Sequence, residues 1–141
     1  MKLGFCFLVK DGLNHVSLWT RFLAASSPGS VGVYVHAKTA VPSPVLEAAW
    51  VDPSPLATAW GDRSLVAATQ RLFMAAVEDQ CDAMVLLSGD MLPLQSFDWV
   101  QGFCRQTRLS LQPRDGLNER QRNANAQRFR QIAPYFGLAG E

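Results

Sequence analysis

Polar residues that can contact a ligand end three apolar segments of the chain. These polar segments are Lys10–Gly12, His36–Lys38 and Ser88–Asp90, and each follows or closes a run typical of a buried strand. If the runs are parallel strands of an open sheet, ligands bind beyond their carboxyl ends, where all three segments lie. A strand must also turn polar wherever it leaves the core, so the pattern alone leaves open whether Asp90 serves a binding site or only a turn.

The residue types in these segments limit the chemistry. Ser88, His36 and Asp90 could form a Ser/His/Asp triad, but the chain has no GxSxG motif to present the serine on a strained turn. It also has neither GxGxxG nor GxxxxGK[ST], the motifs of dinucleotide sites and P-loops. A nucleotide-bound Mg²⁺ or Mn²⁺ usually takes one or two carboxylates. Asp90 stands alone at its strand end, since Asp82 is at the other end and Asp98 lies in the next predicted helix, so a metal site is not favoured.

Composition narrows the class of protein. With 141 residues, 48% of them hydrophobic, and a net charge of +1, the chain is long enough for one domain with a core. The same values exclude a disordered tail and a general nucleic-acid binder. Cys6, Cys81 and Cys104 are widely spaced, with no CxxC motif or Cys/His cluster, which predicts free, mostly buried thiols in a reducing compartment.

The apolar N-terminal run Leu3–Val9 superficially resembles a signal peptide. It is too short to span a bilayer, and Lys10–Gly12 stands where a small-residue cleavage site would be expected. A first buried strand fits the run better, and no other segment is long enough to cross a membrane. We therefore expect no signal peptide or membrane anchor in this chain, and a cytoplasmic or peripheral membrane location.

Strand and helix patterns alternate, which predicts an α/β fold with an open, mainly parallel sheet and flanking helices. The first half is expected to begin with the strand Leu3–Val9 and a helix capped by Asn14. The apolar residues on one side of this helix are Val16, Leu18, Trp19, Phe22 and Leu23. The strand Val31–Ala37, at most a short helix at Val45–Ala49, and a short strand near Trp50–Val51 should follow.

The second half is expected to begin with a long helix of about Asp62–Asp79, capped by Asp62 or Ser64, and the strand Ala83–Ser88. A helix capped by Ser96 should follow, carrying Phe97, Val100, Phe103 and Cys104. A short strand is expected at Leu109–Leu111. From Arg105 onward the chain is rich in arginine. The weakly amphipathic segment Asn118–Gln131 is predicted to be a solvated helix, or one whose packing partner is missing.

Four stretches together resemble the core-2/I-branching glycosyltransferase family, which includes branching N-acetylglucosaminyltransferases and peptide xylosyltransferases. They are "FLVKDGLNHVSLWTRFL", "VGVYVHAK", "AWGDRSLVAATQRLFMAAVED" and "MVLLSGDMLPLQSF", and they span about Lys2 to Cys104. The resemblance implies a GT-A-like, Rossmann-type fold that binds a UDP-sugar and transfers the sugar to an acceptor hydroxyl with inversion. It also implies that basic side chains, and not a metal, neutralise the leaving diphosphate, so no cofactor is expected.

The resemblance also assigns a nucleotide-sugar site to particular positions. Residues at the first two strand ends would line the uridine and ribose, residues at the start of the long helix would face the crevice, and residues at the last strand end would lie close to the sugar and diphosphate. These are Val9, Lys10, Asp11, Gly12 and His36; Trp60 and Ser64; and Ser88, Gly89 and Asp90. Relatives often have an aspartate in place of His36. Trp60 could alternatively be a core anchor, and Ser64 an N-cap.

The family's general base has no match in this chain, so no catalytic residue is predicted. None of Glu47, Glu78, Glu119 and Glu141 stands at the corresponding position. We therefore expect residues 1–104 to form the nucleotide-sugar-binding half of an incomplete domain, and residues 105–141 an arginine-rich, partly helical extension. A second chain or a continuation could supply the rest, and the acceptor could be a glycan, a protein or a small molecule.

Two other functions remain open. The first is a non-catalytic nucleotide-sugar-binding module or remnant. The second is a flavodoxin-like or response-regulator-like domain, which fits poorly because the acidic cluster expected after the first strand of a receiver is absent.

Overall fold

The computed structural model describes residues 1–39 and 49–105. In chain order the elements are β1 (Leu3–Val9), α1 (Val16–Ala24), β2 (Val31–Ala37), β3 (Trp50–Val51), α2 (Ser64–Glu78), β4 (Ala83–Ser88) and α3 (Phe97–Phe103). All four strands are parallel, in the order β3-β2-β1-β4, and the sheet is open. The predicted α/β fold is confirmed. The predicted strand Leu109–Leu111, the helix Asn118–Gln131 and nearly all of the short helix at Val45–Ala49 lie outside the described residues.

One face of the sheet carries an aromatic core. The side chains of Leu3, Phe5, Phe7 and Val9 alternate toward this face, as the twofold repeat of a strand requires. Phe5 contacts Phe22 of α1 edge to face at 5.6 Å between ring centroids, and Phe97 of α3 contacts both Phe5 and Phe22. Because edge-to-face pairs stabilise beyond their buried area, this cluster fixes α1 and α3 on β1.

The opposite face packs against α2. Cys6 and Tyr34 of the sheet meet the helix residues Leu72, Ala75 and Ala76, all of them buried. Small alanines let the helix approach closely, and a methyl group on Gly4 would lie only 3.1 Å from the Ala76 Cβ atom. Ala68, Leu72, Ala75 and Ala76 recur at helical spacing along α2 and form its packed face.

The first turns of α3 and α2 differ in whether the predicted residue caps the helix. Ser96 caps α3 as predicted, because its Oγ atom accepts the backbone N–H of Trp99 at 3.3 Å. At α2 neither predicted residue is the N-cap, which is Arg63 and has no side-chain cap. Ser64 is the first helical residue, and its backbone N–H donates to Oδ1 of Asp62 at 2.7 Å.

The predicted start of α1 is wrong. The N-cap is His15, in a left-handed conformation with φ of 56°, and no side chain caps this end. Asn14 stands one residue before this N-cap, and its backbone N–H donates to the carbonyl oxygen of Gly89 in the loop after β4. Leu18 is also exposed, contrary to its predicted place on the packed side, whereas Trp19 and Phe22 are buried.

None of the helices in the described ranges combines the length and apolar character needed to cross a bilayer.

The three cysteines are free: Cys6 is buried, and Cys81 and Cys104 are partly exposed.

Candidate functional site

The carboxyl ends of β1 and β4 form a polar crevice of about 550 Å³. The two strands pair in parallel with Leu8 opposite Ser88, so the loops that follow them leave the sheet side by side. The crevice is lined by Leu8, Lys10, Asp11, Gly12, Asn14, Ser88, Gly89 and Asp90. Two of the three predicted strand ends therefore come together as one site, at the edge where open parallel sheets bind ligands.

Backbone contacts hold the two loops in place. The N–H of Asn14 donates to the carbonyl oxygen of Gly89 at 2.7 Å. Gly89 approaches the first loop so closely that a Cβ atom there would lie 2.6 Å from the carbonyl oxygen of Gly12. The indole N–H of the buried Trp19 donates to the carbonyl oxygen of Met91 at 3.0 Å, which fixes the chain beyond Asp90 to α1. The crevice is thus built from interlocked loops.

Asp90 is held as an ionised hydrogen-bond acceptor. The Ser88 hydroxyl donates to Oδ1 of Asp90 at 2.7 Å, and this bond lowers the pKa of the Asp90 carboxyl below its ordinary value. The carboxylate is exposed, so its remaining lone pairs face solvent. An ionised carboxylate in this position can accept hydrogen bonds from ligand hydroxyl groups.

The charges in the crevice are mixed. Lys10 is the one cation among the lining residues, and its Nζ atom lies 3.5 Å from Oδ2 of Asp11, with both side chains well exposed. Asp11 therefore joins Asp90 in the crevice, whereas the sequence had placed Asp90 alone. Within residues 1–39 and 49–105, no three histidine, cysteine or acidic side chains gather as a metal site.

His36 lies apart from the crevice lining. Its side chain is fully buried at the end of β2, where the backbone N–H of Leu56 donates to its Nε2 atom at 2.9 Å. Oδ2 of Asp52 lies 3.8 Å from the same nitrogen, and Arg71 of α2 contacts the Asp52 carboxylate at 3.4 Å. Burial lowers the pKa of the imidazole below its ordinary 6.5, more strongly than Asp52 raises it. No sequence motif marked Asp52 or Arg71.

The other predicted residues also lie outside the lining. Val9 is buried in the aromatic core, and its Cγ1 atom would lie 3.3 Å from a Cβ on Gly89, so it supports the crevice from below. Trp60 is 89% exposed, which rules out the alternative of a core anchor. The Ser64 hydroxyl accepts the backbone N–H of Ala59 at 3.1 Å and so closes the loop that carries Trp60.

Comparison with known proteins identifies the family of the chain. No curated protein and no solved structure matches the chain significantly. A family model described as "Core-2/I-Branching enzyme" matches residues 3–133, nearly the whole chain. The match indicates a glycosyltransferase, which requires a sugar donor and an acceptor. The fold and the sequence comparison agree, and the chain belongs to the Core-2/I-Branching enzyme family.

Proposed function

We propose that the chain binds a UDP-sugar in the crevice between β1 and β4, and that it transfers the sugar to an acceptor hydroxyl with inversion and without a metal. The observation that carries this proposal is the crevice itself: Lys10–Gly12 and Ser88–Asp90 meet at the carboxyl edge of a parallel sheet in a chain of this family. Such an edge is the usual ligand site of open α/β sheets.

The lining residues suit different parts of the donor. The ammonium group of Lys10 can face the diphosphate, whereas the carboxylates of Asp11 and Asp90 would repel it. We therefore assign Asp90 to hydroxyl groups of the donor sugar, which its free lone pairs can accept. Gly12 and Gly89 allow the backbone to approach the ligand.

The predicted residues outside the lining receive supporting roles. We propose that Val9 supports Gly89 from the core, that His36 acts behind the wall at the end of β2, and that Ser64 holds the loop that presents Trp60. Trp60 is then available to a donor or an acceptor only from outside the crevice.

A non-catalytic nucleotide-sugar-binding module is the second candidate function. The observation that favours it is the state of the Asp90 carboxylate. Asp90 has a lowered pKa, and a general base works best when its pKa lies near the operating pH. The described residues give no support to a second chain that completes the domain.

Calorimetric titration with UDP, UDP-N-acetylglucosamine and UDP-xylose tests the proposal. Asp90→Ala should weaken binding of the preferred UDP-sugar by about tenfold, since a charge-assisted hydrogen bond is lost, while UDP alone binds as well as before. Asp98→Ala, which removes an exposed carboxylate of α3 outside the crevice, is the matched control and should change neither affinity.

Different results contradict different parts of the proposal. No binding of UDP or any UDP-sugar to the parent chain rejects the nucleotide site. Equal affinities of the Asp90→Ala variant and the parent reject the role of Asp90. Binding that vanishes with EDTA and returns with Mg²⁺ or Mn²⁺ rejects metal independence. Transfer or hydrolysis of the bound sugar separates an enzyme from a binding module.

A further inference from the structure

The His36 imidazole is a buried polar group whose two nitrogens have different surroundings. Nε2 accepts the backbone N–H of Leu56 at 2.9 Å, whereas Nδ1 has no hydrogen-bond partner among the described residues. An imidazole that accepts at Nε2 is neutral and carries its proton on Nδ1. The bond from Leu56 therefore identifies His36 as a neutral acceptor.

The loop Asp52–Leu56 is held against this imidazole from two sides. The backbone N–H of Asp52 donates to the carbonyl oxygen of Val35 in β2 at 2.9 Å. From α2, Arg71 binds both the Asp52 carboxylate and the carbonyl oxygen of Ser54. The Asp52 side chain is only 3% exposed, so the loop and the His36 ring are packed as one unit.

This unit is continuous with the crevice wall. Leu8 of β1 stands opposite His36 of β2 and opposite Ser88 of β4, so the three side chains share one face of the sheet. Leu8 and Ser88 both line the crevice. Beyond the strand end, the backbone N–H and the hydroxyl of Thr39 both approach the carbonyl oxygen of Lys10 at 3.3 Å, which joins the segment after β2 to a third lining residue.

We propose that His36 is a positioning residue of the donor site: as a neutral acceptor it holds the loop Asp52–Leu56 on the end of β2, and thereby fixes the Leu8 side of the crevice without touching the donor. This inference rests on the proposed function. It adds a pH dependence, because a protonated imidazole donates from both nitrogens and cannot accept the Leu56 N–H.

The charged groups around the ring act in opposite directions. Asp52, from the segment after β3, favours protonation of His36, and Arg71, from α2, opposes it. Burial is the larger effect and lowers the pKa of His36, so the ring is neutral near neutral pH and the loop is held. In acid, protonation releases the loop.

Two substitutions separate positioning from direct contact. His36→Gln keeps an acceptor near the place of Nε2 but does not titrate, and His36→Leu keeps the bulk but leaves the Leu56 N–H unpaired. Two quantities are measured from about pH 7.5 downward, through and below the ordinary histidine pKa, for as long as the parent stays folded: the hydrogen-exchange protection factor of the Leu56 amide, and the UDP dissociation constant from calorimetry.

At about pH 7.5, His36→Gln should keep both values within about threefold of the parent, whereas His36→Leu should lose about tenfold in each, as expected for an unpaired buried donor. Below the pKa of His36 in the folded chain, the parent should lose protection and affinity, and His36→Gln should not. If His36→Leu fails to fold, this comparison of pH dependence decides alone.

Equal losses in His36→Gln and His36→Leu would overturn the proposal, because they indicate that the imidazole itself contacts the donor. Affinity unchanged in His36→Leu would also overturn it. A parent chain whose Leu56 amide is protected but which binds no UDP rejects the proposed function, and with it the link to the donor. If the protection of the Leu56 amide does not depend on residue 36, His36 does not hold the loop Asp52–Leu56. That result leaves the proposed donor site unaffected.

Discussion

The backbone N–H of Asn14 donates to the carbonyl oxygen of Gly89 at 2.7 Å and so joins the loop after β1 to the turn after β4. These residues are far apart in sequence, and the contact exists only because β1 and β4 are parallel neighbours. It draws the two loops into one crevice and places Lys10 and Asp11 beside Ser88 and Asp90. Substitutions at this junction should therefore affect ligand binding more than stability alone would explain.

Gly89→Ala tests the close approach of the loops. The new methyl group would lie 2.6 Å from the Gly12 carbonyl oxygen, so backbone must move. We expect a loss of about 1–3 kcal/mol in the free energy of unfolding, as for other overpacked sites, and UDP binding weakened by at least about tenfold. Urea unfolding and calorimetry measure the two effects.

Gly102→Ala is the matched control for this substitution. Gly102 lies in α3, and apart from its chain neighbours and the helix backbone, no atom of the described residues comes within 4 Å of the place that a Cβ atom would take. Alanine favours a helix by about 0.5–1 kcal/mol over glycine. This variant should be as stable as the parent or more so, with unchanged UDP affinity. If Gly89→Ala behaved in the same way, the junction would have no role in shaping the crevice.

Tyr34→Phe separates stability from binding at the other end of the sheet. The buried Tyr34 hydroxyl donates to Oδ2 of Asp79 at 2.6 Å, and Lys2 pairs with the other oxygen of Asp79 at 2.7 Å. Removal of the hydroxyl should cost about 1–2 kcal/mol of unfolding free energy, since the hydrogen bond to a charged group is lost. UDP affinity should not change. A variant of parental stability, or one with impaired UDP binding, would contradict this division of roles.

Stability should depend on pH through His36. Burial lowers the pKa of His36 in the folded chain below the value of 6.5 that it has when unfolded. The unfolded chain therefore takes up the proton first, and the stabilisation is complete above 6.5 and is lost as the pH falls from there to the folded pKa. In urea unfolding, the parent should lose more stability than His36→Gln over this range. Parallel pH profiles would refute the assignment.

Thiol reactivity should follow burial. Burial, with a smaller effect of Cys81, raises the pKa of Cys6 to about 12, so this thiol is neither accessible nor ionised at neutral pH. Burial also raises the pKa of Cys104. In the native protein, iodoacetamide should modify Cys6 last, and peptide mass spectrometry gives the order. Modification of Cys6 as fast as the partly exposed Cys81 would show that the core opens more readily than the packing indicates.

Local pattern was sufficient for the sheet. The strands Leu3–Val9, Val31–Ala37 and Ala83–Ser88 occur with the predicted bounds, because each is an apolar run that ends at a polar residue. Ser96 is predicted well for a similar reason: an N-cap bonds within its own turn. The extended runs and this cap can be recognised from near neighbours in sequence, whereas the pairing of β1 with β2 and β4 joins distant segments.

The site depended on contacts between distant segments. Asn14 resembles an N-cap locally, but its backbone N–H is taken by Gly89, and the same loop brings Asp11 to the crevice with Asp90. The burial of His36 comes from the loop Asp52–Leu56, which no local pattern of β2 contains. The exposure of Trp60 could not be predicted from the sequence either, because an aromatic side chain by itself favours a buried position.

Titration of the ¹⁵N-labelled chain with UDP, followed by amide chemical shifts, tests most directly whether the donor nucleotide binds between β1 and β4. We predict saturable shifts that are largest at Gly12, Asn14, Gly89 and Asp90, with amides at the amino end of the sheet, such as those of Lys2 and Asp79, unchanged. Shifts absent at saturating UDP, or concentrated away from these loops, would contradict the assignment of the donor site.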